Sequence, residues 1–173
     1  MIRTRVGYTG GTTIDPEYHR LGDHTEAFQL DFDPRRLSYA ELLEQFWRSH
    51  DPTRPGYKRQ YMAAVFAGDD AQLALAEASR DARGGVITTS VERAKTFYRA
   101  EDYHQKYYLR QHKDLMRELR AVEDDRKFVD STIAARLNGV VAGKATREQI
   151  EAMIDGFHLS PEAKAALLCR QSQ

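Results

Sequence analysis

Three short stretches of this chain gather acids, tyrosines and glycines in a way that suits chemistry at an oxygen atom. The first runs Val6-Gly7-Tyr8-Thr9-Gly10-Gly11, continues through Asp15-Pro16-Glu17-Tyr18, and ends at Gly22-Asp23-His24-Thr25-Glu26. The second holds Phe46-Trp47, His50-Asp51-Pro52-Thr53 and Arg59-Gln60-Tyr61. The third is Phe97-Tyr98-Arg99-Ala100-Glu101-Asp102-Tyr103-His104-Gln105. A carboxylic acid kept protonated can deliver a proton to an oxygen that gains charge, and tyrosine hydroxyls can hold that oxygen. Glu26, Tyr18 and Tyr61 are the residues of the right types. On residue chemistry alone, Glu26 also reads as a solvated strand end and the tyrosines as rim or core aromatics.

Other constellations give less. His19, His24 and Glu26, or Asp102 with His104, lack the spacing of a zinc or facial-triad site, and no metal is expected. Asp102 and His104 fit bracing hydrogen bonds better. Tyr98, Tyr103, Tyr107 and Tyr108 stand among basic residues, but Glu101 and Asp102 beside them oppose base stacking. Cys169, the one cysteine, follows the run Ala165-Ala166-Leu167-Leu168 and reads as a small apolar residue.

The elements that must position these residues follow from pattern. Ile2 to Tyr8 reads as a strand entering a Gly10-Gly11 turn, Thr12 to Asp23 as a loop, and Glu26 to Phe32 as a half-buried strand. Ser38-Tyr39-Ala40-Glu41 is a capping box opening a helix whose apolar face includes Leu42, Leu43, Phe46 and Trp47, stopped at Asp51-Pro52. Tyr61 to Ala67 and Val86 to Val91 are strand candidates around a helix over residues 70–82 that Gly84-Gly85 closes. Residues 101–122 read as one helix, and three helical segments follow. Thr146 opens a second capping box, and Ser160-Pro161 is an N-cap with proline at the first helical position. The expectation is an α+β two-layer sandwich, a ferredoxin-like mixed sheet covered by helices. The division falls at about residue 123, between a domain over 1–122 and a helical extension over 123–173.

Composition restricts the function classes. The 173 residues carry 26 basic and 26 acidic side chains, a formal net charge of +0. Such a balance offers no general field for nucleic acid or anionic lipid, and neither is an expected partner. No apolar run approaches the ~20 residues of a membrane-spanning helix. The N-terminus lacks the apolar stretch of a secretory signal. One thiol cannot form an internal disulfide, so a reducing, cytoplasmic setting is expected.

Taken in order, the three clusters resemble the A-type peptide methionine sulfoxide reductases, over about residues 2–109. The resemblance implies thiol-dependent reduction of methionine sulfoxide, free or in proteins, to methionine. That is a protein-repair reaction under oxidative stress, with thioredoxin or a similar thiol reductant as partner and no cofactor. Carried over residue by residue, Glu26 is the acid that protonates the sulfoxide oxygen, and Tyr18 and Tyr61 bind and polarise it. The sequence departs from the pattern in three places. The family's Gly-Cys-Phe-Trp-Gly motif, which carries the nucleophile, does not occur; Pro55-Gly56-Tyr57-Lys58-Arg59 stands where many members have an aspartate; and Cys169 does not lie in a glycine-rich tail. One expectation is that Met1 is an internal valine read from a GTG start, so that the nucleophile lies upstream. The competing expectation is a cysteine-less binder of methionine-containing peptides, or an interaction module built on the C-terminal helices.

Overall fold

The computed structural model describes residues 1–120 and 124–169. The chain packs as two compact units, one of residues 6–101 and one of residues 1–5 with 102–173. The boundary expected at about residue 123 falls on residues outside the described ones.

In the first unit, β1 (Arg3–Thr9) is the central strand of the order β2-β1-β5, with β2 at Thr25–Asp31 and β5 at Tyr98–Arg99. Strand β5 runs antiparallel to β1, with Gly7 opposite Arg99 and Tyr8 opposite Tyr98. A second sheet pairs β3 (Ala64–Ala67) with β4 (Ser90–Arg93) in parallel, from Ala64 opposite Ser90 to Ala67 opposite Arg93. A parallel pair needs a crossover, and α2 (Asp70–Asp81) supplies it. Helix α1 (Tyr39–Arg48) starts at the expected capping box: Ser38 accepts from the Glu41 amide while the Glu41 side chain accepts from the Ser38 amide. Leu43, Trp47 and Ala76 form a buried cluster under these elements. The Trp47 Nε1–H donates to Ser79 Oγ at 3.0 Å, which satisfies the polar edge of a buried indole. A smaller cluster joins Tyr8, Leu21 and Ala100.

The second unit is helical: α3 (Tyr107–Arg110), α4 (Lys113–Arg120), α5 (Asp125–Asp130), α6 (Thr132–Val141), α7 (Arg147–Glu151) and α8 (Pro161–Cys169). Its core includes Leu109, Phe128, Val129, Leu137, Ile150 and Leu167. The capping box at Thr146 is present, and Ser160 Oγ accepts from the Ala163 amide.

The elements depart from expectation at four points, the first being that the four helices α5 to α8 stand where three helical segments are expected from the sequence. The single helix over 101–122 is broken into a 3-10 turn at Asp102–His104 and the helices α3 and α4. Lys106 sits between them in the left-handed region at φ 54°. Its ammonium compensates by donating to the Thr4 and Val129 carbonyls. The strand expected at Val86–Val91 begins later, at Ser90, because Gly84 and Gly85 both take positive φ and lengthen the turn. The strand expected from Tyr61 begins at Ala64, since Arg59–Tyr61 coils into a 3-10 turn. The α+β class stands, with strands of mixed direction and helices against them.

Candidate active site

The loop between β1 and β2 is organised by one carboxylate. Asp23 accepts from the backbone amides of Thr12 and Thr13 and from both threonine hydroxyls, at 2.8–3.0 Å. Those donors hold its carboxyl well below the usual carboxylate range, the Thr12 amide contributing most. His24 is buried beside it. The Gly11 amide donates to His24 Nδ1 at 3.3 Å, so Nε2 bears the proton and donates to the Thr13 carbonyl at 2.8 Å. Both ring nitrogens are thus spent on backbone, which removes His24 from any metal set. Gly10 turns the chain at φ 85° over the Phe66 ring, where a Cβ would stand 2.7 Å from the ring. Only glycine meets both demands.

Glu26 is the second residue of β2 and is exposed. Tyr61 closes the 3-10 turn Arg59–Tyr61 and is half exposed. Two hydrogen bonds bring that turn to β2: Gln60 Nε2 donates to Glu26 Oε1 at 2.7 Å, and Thr25 Oγ1 donates to the Arg59 carbonyl at 3.0 Å. The structure therefore joins the segment of Glu26 to the segment of Tyr61 directly. Arg59 adds to the joint, donating from Nε to the Asp23 carbonyl at 2.6 Å and from Nη2 to the Gly10 carbonyl at 3.1 Å.

Tyr18 is held differently. It lies in the loop, in a turn closed by the pairing of Glu17 with Arg20. Its amide donates to Glu101 Oε1 at 3.0 Å, while the buried Tyr8 hydroxyl donates to Glu101 Oε2 at 2.7 Å. One carboxylate thus ties the Tyr18 loop to β1. Tyr18 carries its ring partly exposed, edge-on to His19 at 5.1 Å.

Sequence reasoning named Tyr18, Glu26 and Tyr61 but not the residues that hold them: Glu101, Gln60, Asp23 and Thr25. The signal for Gln60 and Glu101 was their place inside the same clusters. For Asp23 it was its place beside Gly22 in the first cluster, while the threonines it caps lie ten and eleven residues earlier.

Chemically, the arrangement offers a carboxyl group that accepts an amide N–H and two tyrosine side chains on anchored segments. Among the described residues no group of three or more His, Cys, Asp or Glu could hold a metal ion. No helix there is long and apolar enough to cross a membrane. Cys169 is exposed at the end of α8. A cavity of about 670 Å³ opens in the helical unit, lined from residues 111–118 and 160–167, and none of Tyr18, Glu26 or Tyr61 lines it.

Known proteins share this framework. The chain is 39% identical to a peptide methionine sulfoxide reductase of Drosophila melanogaster, covering 93% of this chain and 67% of that protein. It is also 39% identical to peptide methionine sulfoxide reductase A5 of Arabidopsis thaliana, covering 82% and 59%. The chain thus spans about three fifths to two thirds of the length of these relatives. Methionine sulfoxide reductase A of Corynebacterium diphtheriae has a similar solved structure, with a TM-score of 0.52 at 31% identity over 64% of each chain. The family model described as peptide methionine sulfoxide reductase matches residues 1–137. The chain therefore belongs to the peptide methionine sulfoxide reductase family.

Proposed function

We propose that this chain supplies the acid and the oxygen-binding groups of a peptide-methionine (S)-S-oxide reductase. Glu26 protonates the sulfoxide oxygen, and the Tyr18 and Tyr61 hydroxyls bind and polarise it. The observation that carries this reading is the Gln60–Glu26 hydrogen bond. It couples the expected acid to the turn that bears Tyr61, and family membership over residues 1–137 adds to it.

The reaction is a two-electron reduction. A thiolate attacks the sulfoxide sulfur and forms an S–S bond while Glu26 gives its proton to the oxygen; the S–S bond and the original S–O bond then break as a new S–O bond forms to the attacking sulfur. Oxygen passes to the thiol as a sulfenic acid while the substrate leaves as a thioether. Two further thiols return the sulfenic acid to a thiol, releasing water and a disulfide; thioredoxin or a similar reductant fills this role. The reading assigns the attack to the thiolate of a Gly-Cys-Phe-Trp segment, the family's arrangement. The one cysteine of this sequence, Cys169, stands in the helical unit.

Expressing the gene with its in-frame upstream codons and assaying the two sulfoxide epimers tests this. Reduction of the S-epimer, lost in Glu26→Gln, is the expected result. An intact Gly-Cys-Phe-Trp segment with no reduction of either epimer would sink it.

A further inference from the structure

Two cations converge on one carbonyl oxygen beside this site. Arg59 Nη2 donates to the Gly10 carbonyl at 3.1 Å and Lys95 Nζ donates to the same oxygen at 3.2 Å. Two full positive charges therefore stand within about 6 Å of each other, close enough to repel unless an anion joins them. Among the described residues neither side chain forms an ion pair. The Asp23 carboxylate is turned to the Thr12 and Thr13 amides and hydroxyls, and its backbone carbonyl is what accepts from Arg59. Glu26 accepts from Gln60 instead. The guanidinium uses Nε and one Nη2 hydrogen on carbonyls, and the remainder of its planar fork is of the shape that receives a carboxylate. Both side chains are exposed, so that fork and the ammonium are open to an incoming group.

The carbonyl they share belongs to the Gly10 turn, and Arg59 directly precedes Gln60 and Tyr61. Arg59 of the charge pair therefore belongs to the turn that meets Glu26, and Lys95, just past the end of β4, joins it at the Gly10 carbonyl. We infer that Arg59 and Lys95, converging on the Gly10 carbonyl, form a subsite for a carboxylate carried by the substrate next to the oxidised methionine. That carboxylate is either the α-carboxylate of the free amino acid or the side chain of a neighbouring aspartate or glutamate in a peptide. The inference rests on the reading of Glu26 and Tyr61 as the sulfoxide site. It adds what selects among sulfoxides: acidic sequence context raises affinity, and basic context lowers it.

Titrating this chain with small ligands separates the two claims without any need for turnover. The ligands are acetyl-methionine sulfoxide as free acid and as amide, acetyl-methionine sulfoxide-aspartyl amide, its asparaginyl counterpart, and the aspartyl peptide with unoxidised methionine. The aspartyl peptide is expected to bind about three- to fivefold more tightly than the asparaginyl one at low salt, with the preference fading as ionic strength rises. Preference for the free acid over the amide assigns the subsite to the α-carboxylate; preference for aspartyl over asparaginyl assigns it to a neighbouring side chain.

Lys95→Gln, which removes a single hydrogen bond and leaves the loop's other ties, should reduce the preference, and Arg59→Gln should reduce it further. Arg59→Lys should restore part of it. Equal binding of acid and amide and of aspartyl and asparaginyl peptides, or no binding of any of them, overturns the inference. So does a preference that survives in the double Gln variant. Equal binding of the oxidised and unoxidised aspartyl peptides instead counts against the sulfoxide site and leaves the charge subsite standing.

Discussion

Each of the two units is held together internally by its own means. The helical unit has one continuous apolar core in which Phe128, Val129, Leu137 and Ile150 are essentially buried. The mixed unit divides its apolar residues between two small clusters, Leu43-Trp47-Ala76 and Tyr8-Leu21-Ala100. What it lacks in core it replaces with long-range polar ties from Asp23, Arg59, Gln60 and Glu101. Apolar burial is non-directional, whereas hydrogen bonds set positions of individual atoms. On the proposed reading, in which this region presents a carboxyl and two hydroxyls at fixed places, the second serves better.

Function and stability are therefore expected to respond to different substitutions. The largest effect expected is on function. In protein carrying an intact Gly-Cys-Phe-Trp segment, Glu26→Gln should lower kcat for methionine sulfoxide by about a hundredfold or more. Its melting temperature should stay within about 2 °C of the parent, since Glu26 is exposed and Gln can still accept from Gln60. A steady-state assay beside a thermal melt checks both. Undiminished kcat would remove Glu26 from the chemistry.

Phe128→Ala reverses the pattern. Phe128 is 1% exposed under the Arg110 guanidinium, 5.0 Å from its ring. Its removal should cost about 3–5 kcal/mol of stability. Hydrogen exchange would read the loss in α5 and α6, while the amides of Thr12 and Thr13 keep their protection. Equal loosening of both regions would break the comparison.

Gly7→Ala comes next. A Cβ there would lie 2.2 Å from the Tyr98 carbonyl oxygen and 2.5 Å from the Phe97 ring. The backbone atom cannot move without opening the β1–β5 pairing, so a loss of about 1–3 kcal/mol is expected in chemical denaturation. Ser79→Ala is milder: it strands the buried Trp47 indole N–H, at about 1–3 kcal/mol toward the lower end, because Ser79 is only partly buried.

The comparison also explains what could be read from the sequence. Features decided by neighbours in the chain were legible: the capping boxes at Ser38 and Thr146, the N-cap at Ser160, and the apolar face carrying Leu43 and Trp47. Features decided by distant partners were not. The helix break at Lys106 depends on carbonyls of Thr4 and Val129. Strand β5 is two residues long and exists through its pairing with Gly7 and Tyr8. At the site, the types and spacing of Tyr18, Glu26 and Tyr61 could be named through the family resemblance. The ties that hold their segments, Gln60 to Glu26 and Glu101 to the Tyr18 amide, join residues far apart in sequence, and no local pattern encodes them.

The smallest expected effect tests the polar side of the contrast by pH. Asp23 is held below its ordinary value of 3.8 by the amides and hydroxyls of Thr12 and Thr13, which bind its charged form. Above pH 3.8 the carboxylate is charged whether the loop is folded or not, and its contribution to stability is complete. As pH falls below that value, the unfolded loop takes up a proton while the folded loop resists. The contribution is then lost progressively down to the depressed folded value. The amide resonances of Thr12 and Thr13 should therefore hold steady through the usual carboxylate range and shift only in stronger acid. In Asp23→Asn the pH dependence should vanish and exchange at both amides should quicken at every pH. A titration of those amides centred near 3.8 would mean that the Asp23 network does not organise the loop. The Gly10 turn, with Arg59 and Lys95 on its carbonyl, would then need another anchor.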